Sequence, residues 1–277
     1  MDYNGITLWC VHRSGSTLLE NLCLRAMQTR IDSSKLTLRE DFDAPHQVRD
    51  GQWGYQGFRY FDLDSPLEKV PFLKALQWRK MNHDIDCGAI WPIMRLHTTF
   101  INLNKDANSV QCLIDYLDRP DLYNIMLVRT DVENHFASWL LMDLTNTSIV
   151  YDAVPRHRHF YDMQLEQLRR APAKVTEWTL LQAFNALVQH AQQYVFAKHR
   201  MQRVITYDQL VRGDFDFMDV TAEEIQSLLG TDPLPSKMNA SAIDTLSECC
   251  SNFDAVWKNI RQAKLACEFC YADLEYR

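Results

Sequence analysis

The chain has 277 residues, 47% hydrophobic and 23% charged, with a formal net charge of −7. That balance supports a sizeable core and excludes a disordered chain, while a general binder of nucleic acid or anionic membrane would more often be basic. No stretch approaches the roughly 20 apolar residues of a membrane helix, and no basic-then-apolar leader opens the sequence. A cytoplasmic protein without nucleic-acid or membrane partners is expected.

Gly5 to Val11 is a short run of strand formers. Thr17 to Thr29 comes next, with Leu18, Leu19, Leu22, Cys23 and Met27 at helical spacing. Residues 31 to 68 are polar and irregular, with Trp53, Tyr55, Phe58 and Tyr60 among glycines, and read as loops with one short strand at most. Pro71 to His83 has a helical pattern. "AIWPIMRLH" at 89 to 97 predicts a strand, with Pro92 favouring an edge or a strand start.

Ser109 to Leu117 reads as a helix. "YNIMLVR" at 123 to 129 is a buried-strand signal bounded by turn residues, and Val132 to Leu144 is a helix with Asp131 as its cap. A long helix is expected from about Ala173 to Arg200, then a strand running into a turn in "QRVITYDQL" at 202 to 210. "TAEEIQSLLG" at 221 to 230 predicts a helix capped by Thr221 and stopped at Gly230. Strands alternating with helices predict βαβ units and a central, mostly parallel sheet with helices on both faces. One domain over 1–277 is expected, with insertions or helical covers near 31–87 and 145–200.

Eight cysteines are present. Cys249, Cys250, Cys267 and Cys270 cluster near the C-terminus, but the CxxC lies in a stretch that reads as one continuous helix. Zinc knuckles sit on turns, so packed thiols and no metal are expected.

The junction "TLWCVHRSGSTLL" at 7 to 19 carries the chemistry. A strand that stops at a glycine turn and enters a helix aims free N–H groups at whatever sits above it, which makes an anion site. Gly15 allows close approach, Ser16 and Thr17 add hydroxyls, and Arg13 adds a fork for phosphate or sulfate oxygens. The motif departs from GxxxxGK[ST]: Cys10 stands at the first glycine and Ser16 at the lysine. A magnesium-dependent ATP or GTP engine is disfavoured. A plain βα turn remains the structural alternative.

"IMLVRTDVENHFASWLL" repeats the logic, with Arg129 at the end of a strand and Ser138 in the next helix. Arg129 could grip a second phosphate with Ser138, or pair with Asp131 or Glu133.

Together these motifs resemble the sulfotransferases that use 3′-phosphoadenosine 5′-phosphosulfate (PAPS). The resemblance implies a three-layer, P-loop-like α/β fold. It implies that Arg13, Ser14, Gly15, Ser16 and Thr17 cradle the phosphosulfate, in a form most similar to the bacterial trehalose-type enzymes. It further implies that Arg129 and Ser138 hold the 3′-phosphate. Their spacing is one residue longer than the commonest family spacing, which brings Thr130 and His135 in as alternatives. "RVITYDQLVRGDFDFMDVTAEEIQSLLG" resembles the family's strand, Tyr-Glu-Asp-Leu-like turn and helix, and "WPIMRLHTTF" its strand ending in Lys-Thr-His. The late Arg-Lys-Gly-x-x-Gly loop of the cytosolic branch is absent, since Gly230 is the last glycine.

The activity implied by the resemblance is in-line sulfuryl transfer to a hydroxyl or amine of a small-molecule or sugar acceptor. It leaves 3′-phosphoadenosine 5′-phosphate (PAP) and needs no metal. His97, at a strand end, is the first candidate for the general base. Glu40 or Asp41 in "LREDFDAP" is the second, by likeness to the trehalose and heparan types. "RHRHFYDMQLEQLRR" at 156 to 170 could flank the acceptor, though a helix with a solvated basic face is the simpler reading. The alternatives are a nucleotide or small-molecule kinase and a PAP-binding module without turnover.

Overall fold

The computed structural model describes residues 5–28, 93–97, 114, 117, 118, 120, 122–146, 155–229 and 241–274. Strands β1 (Gly5–Cys10), β2 (Ile93–His97), β3 (Leu122–Val128) and β4 (Arg203–Thr206) form one parallel sheet in the order β2-β1-β3-β4. The helices are α1 (Ser16–Gln28), α2 (Val132–Thr145), α3 (Pro155–Arg170), α4 (Glu177–Ala197), α5 (Tyr207–Arg212), α6 (Ala222–Leu229), α7 (Ala242–Cys249) and α8 (Phe253–Tyr271). The expected class, α/β with a parallel sheet flanked by helices, holds.

Alternation along β1 and β3 builds a core on each face. Trp9, Leu122, Met126 and Val128 join α2, α4, α7 and α8 in one apolar cluster. Ile6, Leu8, Cys10, Tyr123, Ile125 and Leu127 join α1, Leu210 and the segment from Phe215 to Ile225 in the other. β3 is buried along its whole length, including Asn124, whose Nδ2 donates to the Leu117 carbonyl at 2.8 Å.

Local signals set several boundaries. Asp131 caps α2, its Oδ1 accepting from the Asn134 N–H at 3.2 Å. Thr221 and Glu224 form a reciprocal cap on α6 at 3.4 and 2.8 Å. The helix expected from Ala173 starts later, at Glu177. Ala173 bridges to Cys250 instead, and the Val175 N–H donates to Asn252 Oδ1 at 2.9 Å, so α4 begins only at its Thr176 cap. The turn expected after β4 is a short helix, α5, closed at its start by a capping box of Thr206 and Gln209.

Cys249, Cys250 and Cys267 are buried free thiols in the first cluster. Burial pushes the Cys267 thiol up to about 12. Among the described residues no group of three or more His, Cys, Asp or Glu is placed to hold a metal ion, and no helix is long and apolar enough to cross a membrane. The expectations for residues 31–68 and Pro71–His83 lie outside the described residues.

Candidate oxyanion site at the carboxyl edge of the sheet

β1 has β2 on one side and β3 on the other. The chain therefore reverses its direction of travel across the sheet at the β1/β3 crevice, the place where open α/β sheets bind ligands. Arg13 leaves β1 and Arg129 leaves β3, so both enter this crevice from the carboxyl edge.

Between Cys10 and Ser16 the backbone turns sharply. Arg13 has φ 65° and Gly15 has φ 92°. Ser14 is buried, and both its N–H and its Oγ donate to the Val11 carbonyl, at 3.3 and 2.7 Å. Ser14 thus braces the turn from inside. Gly15 is required twice over. Its φ suits glycine, and a Cβ there would stand 2.9 Å from Leu210 Cδ2 and 3.0 Å from Tyr207 Cδ2. α1 then opens at Ser16 with no acidic residue in its first turn, so its N-terminal partial charge is not offset by a carboxylate from that turn.

Two arginines meet over this turn. Arg129 is only 5% exposed, and its Nη1 donates to the Arg13 carbonyl at 3.2 Å. Its guanidinium lies over the Tyr207 ring, 4.5 Å from the centroid. Its Nε is buried without a hydrogen-bond partner among the described residues. The Arg13 Nε donates to Ser138 Oγ at 3.1 Å. Burial, with the Arg129 charge as a further cause, pulls the Arg13 guanidinium down to about 10, while the Tyr161 and Tyr207 phenols act in the opposite direction. Burial likewise lowers Arg129, against the influence of Tyr207, Asp131 and Asp208. Both remain cations at neutral pH. An anion between them would relieve both their desolvation and their mutual repulsion.

The structure brings Arg13, Ser14, Gly15, Ser16, Thr17, Arg129 and Ser138 to one place. It does not pair Arg129 with Asp131 or Glu133. Asp131 caps α2, and Glu133 takes Lys264 at 3.2 Å. Ser138 serves Arg13 as acceptor, whereas the sequence grouped it with Arg129. His97 ends β2 in register with Cys10, on the same sheet edge as Arg13 and Arg129. Glu40 and Asp41 lie outside the described residues.

Sequence reasoning passed over Tyr207, whose ring lies under the Arg129 guanidinium and fills the space a Cβ at residue 15 would need. The signal was available, because Tyr207 directly follows a strand and so reaches the same edge. Tyr161 is a second omission. It lies on α3, the segment read as a solvated basic helix, yet its phenol acts electrostatically on Arg13. His135 entered only as an alternative phosphate ligand, and its ring nitrogen instead meets the His12 carbonyl.

This arrangement can bind a multiply charged oxyanion and stabilise charge that grows on one of its oxygens. No family model, curated protein or solved structure matches the chain.

Proposed function

We propose that the chain is a sulfotransferase of P-loop-like, three-layer architecture. It moves the sulfuryl group of PAPS to a hydroxyl or amine of a small-molecule or sugar acceptor. The observation that carries this reading is the convergence of Arg13 and Arg129 on a glycine turn at a helix N-terminus, with the Arg129 Nε buried and without a hydrogen-bond partner among the described residues. A buried Arg129 and a partly buried Arg13 beside a set of backbone N–H groups suit a ligand with two separate anionic centres, as PAPS has.

The chemistry is in-line transfer. The base takes the acceptor's proton, the acceptor oxygen bonds to sulfur, and the bond from sulfur to the bridging oxygen breaks. The electron pair stays on that oxygen, now part of the 5′-phosphate of PAP. Arg13 and the α1 N-terminus meet the charge that grows there. Arg129, steadied on the Tyr207 ring, offers its Nε to the 3′-phosphate. His97 is the base in this scheme, because β2 carries it to the same sheet edge. Arginine and backbone donors can carry the leaving-group charge, so the scheme routes no step through a metal.

A thermal-shift panel of PAP, PAPS, ATP with magnesium, and GTP tests the reading. PAP and PAPS should stabilise the protein without added metal, by about 2.7 kcal/mol at 100 times the dissociation constant. A shift confined to ATP with magnesium would overturn it in favour of a kinase.

A further inference from the structure

Helix α2 meets the turn after β1 with three side chains of one helical face. The His135 Nε2–H donates to the His12 carbonyl at 2.8 Å. Ser138 Oγ accepts from Arg13 Nε at 3.1 Å. Trp139 stands edge-on to the His12 ring, with centroids 5.3 Å apart. Residues 12 and 13 are thus gripped from a single element that begins 119 positions later in the chain than Arg13 (132 − 13).

His135 is 2% exposed. Burial, then the neighbouring Arg129, His190 and Arg13 charges, disfavours its protonated form, against the bond to the His12 carbonyl. A neutral imidazole has one N–H, and a carbonyl can only accept, so the proton sits on Nε2. In a trans peptide the N–H points opposite the C=O. Holding the His12 carbonyl against α2 therefore turns the Arg13 N–H to the other side. The next carbonyl, that of Arg13, is held by Arg129 at 3.2 Å. Between these two held carbonyls Arg13 adopts φ 65°, a conformation that a non-glycine residue keeps only when its surroundings impose it.

We infer that His135 is a positioning residue of the oxyanion turn: its Nε2–H fixes the peptide that sets Arg13 in its left-handed conformation, facing the bound anion. The inference rests on the reading of this turn as a phosphosulfate cradle. It gives His135 no contact of its own with the ligand.

Glutamine and asparagine separate the place of the donor from its chemistry. The side-chain amide of glutamine reaches about where Nε2 lies, and that of asparagine ends near Nδ1. PAP and inorganic pyrophosphate are titrated calorimetrically into the full chain and its variants, and a melting temperature is recorded for each. His135→Gln should bind PAP within about threefold of wild type, and His135→Asn about tenfold or more weakly, because the His12 carbonyl loses its donor. His190→Asn is the control. His190 is also buried, but its Nε2–H donates to Leu127 of β3 at 3.0 Å and not to the turn. This variant should melt earlier yet bind PAP within about twofold of wild type.

Wild-type affinity in His135→Asn, or an equal loss of affinity in His190→Asn, would overturn the role of His135. If wild type binds pyrophosphate but not PAP, the sulfotransferase reading fails and pyrophosphate carries the same comparison of variants. Binding of neither anion would overturn both.

Discussion

The Nε of Arg13 donates to the Oγ of Ser138 at 3.1 Å, across 125 positions of sequence. This bond ties the turn after β1 to the second turn of α2. It engages the Nε of the guanidinium fork. On the proposed function, substitutions at Arg13 test its role in turnover apart from this packing contact.

Arg13→Ala should reduce turnover by about 10²–10³ and weaken PAPS less, because charge on the leaving oxygen is greatest in the transition state. Arg13→Lys should keep a measurable part of the rate, since a point charge still serves that oxygen. Release of PAP with a panel of hydroxylated acceptors measures this, or slow PAPS hydrolysis where no acceptor reacts. Wild-type turnover in Arg13→Ala with weakened PAPS would make Arg13 a binding residue only.

On the proposed function, Arg129 has a shared and a selective role. Its Nη1 holds the Arg13 carbonyl, and its Nε, without a hydrogen-bond partner among the described residues, is assigned to a second phosphate. Arg129→Ala should weaken both PAP and adenosine 5′-phosphosulfate through the turn. It should weaken PAP about tenfold further, the worth of a charge-assisted bond to the 3′-phosphate. Calorimetric titration of the two ligands gives the difference. Equal weakening would leave Arg129 with its structural role alone.

Gly15→Ala should destabilise the protein by about 1–3 kcal/mol, the usual cost of holding a residue with a Cβ in such a conformation. A Cβ there would stand 2.9 Å from Leu210 and 3.0 Å from Tyr207, so one of these side chains must shift to admit it. Because Tyr207 also carries Arg129, a displaced Tyr207 should cost PAP affinity as well. Urea midpoints and PAP titration check the two effects. An unchanged midpoint would mean that the turn yields more easily than this packing allows.

The buried histidines make stability depend on pH. Burial pulls His190 down to about 4, against the bond to the Leu127 carbonyl, from an ordinary value of 6.5. Below about 6.5 the unfolded chain takes up a proton that the folded one refuses, so stability falls as pH drops from 6.5 towards 4. The loss from His190 alone is about 3 kcal/mol over that window. His190→Gln keeps a donor for Leu127 but does not titrate. Its stability should fall less steeply than that of wild type between pH 6.5 and 4 in urea melts. Parallel curves would show that His190 is protonated in the folded state.

Local patterns of sequence were enough to specify β1, α1, β3 and α2, the Asp131 and Thr221 caps, and the long C-terminal helix α8. Each rests on contacts within a few residues, where periodicity and capping chemistry are complete in the local string. The same patterns marked Arg13 to Thr17, Arg129 and Ser138, because a strand end that carries a cation or a glycine turn is itself a local feature. The partners of these residues were settled by the folded chain alone. That Ser138 takes Arg13, that Arg129 rests on Tyr207, and that His135 holds His12 all depend on strand order and on the seating of α2 against the turn. Strand order and helix seating come from burying two apolar faces of one sheet at once. That requirement is global, and no window of sequence shorter than the fold contains it.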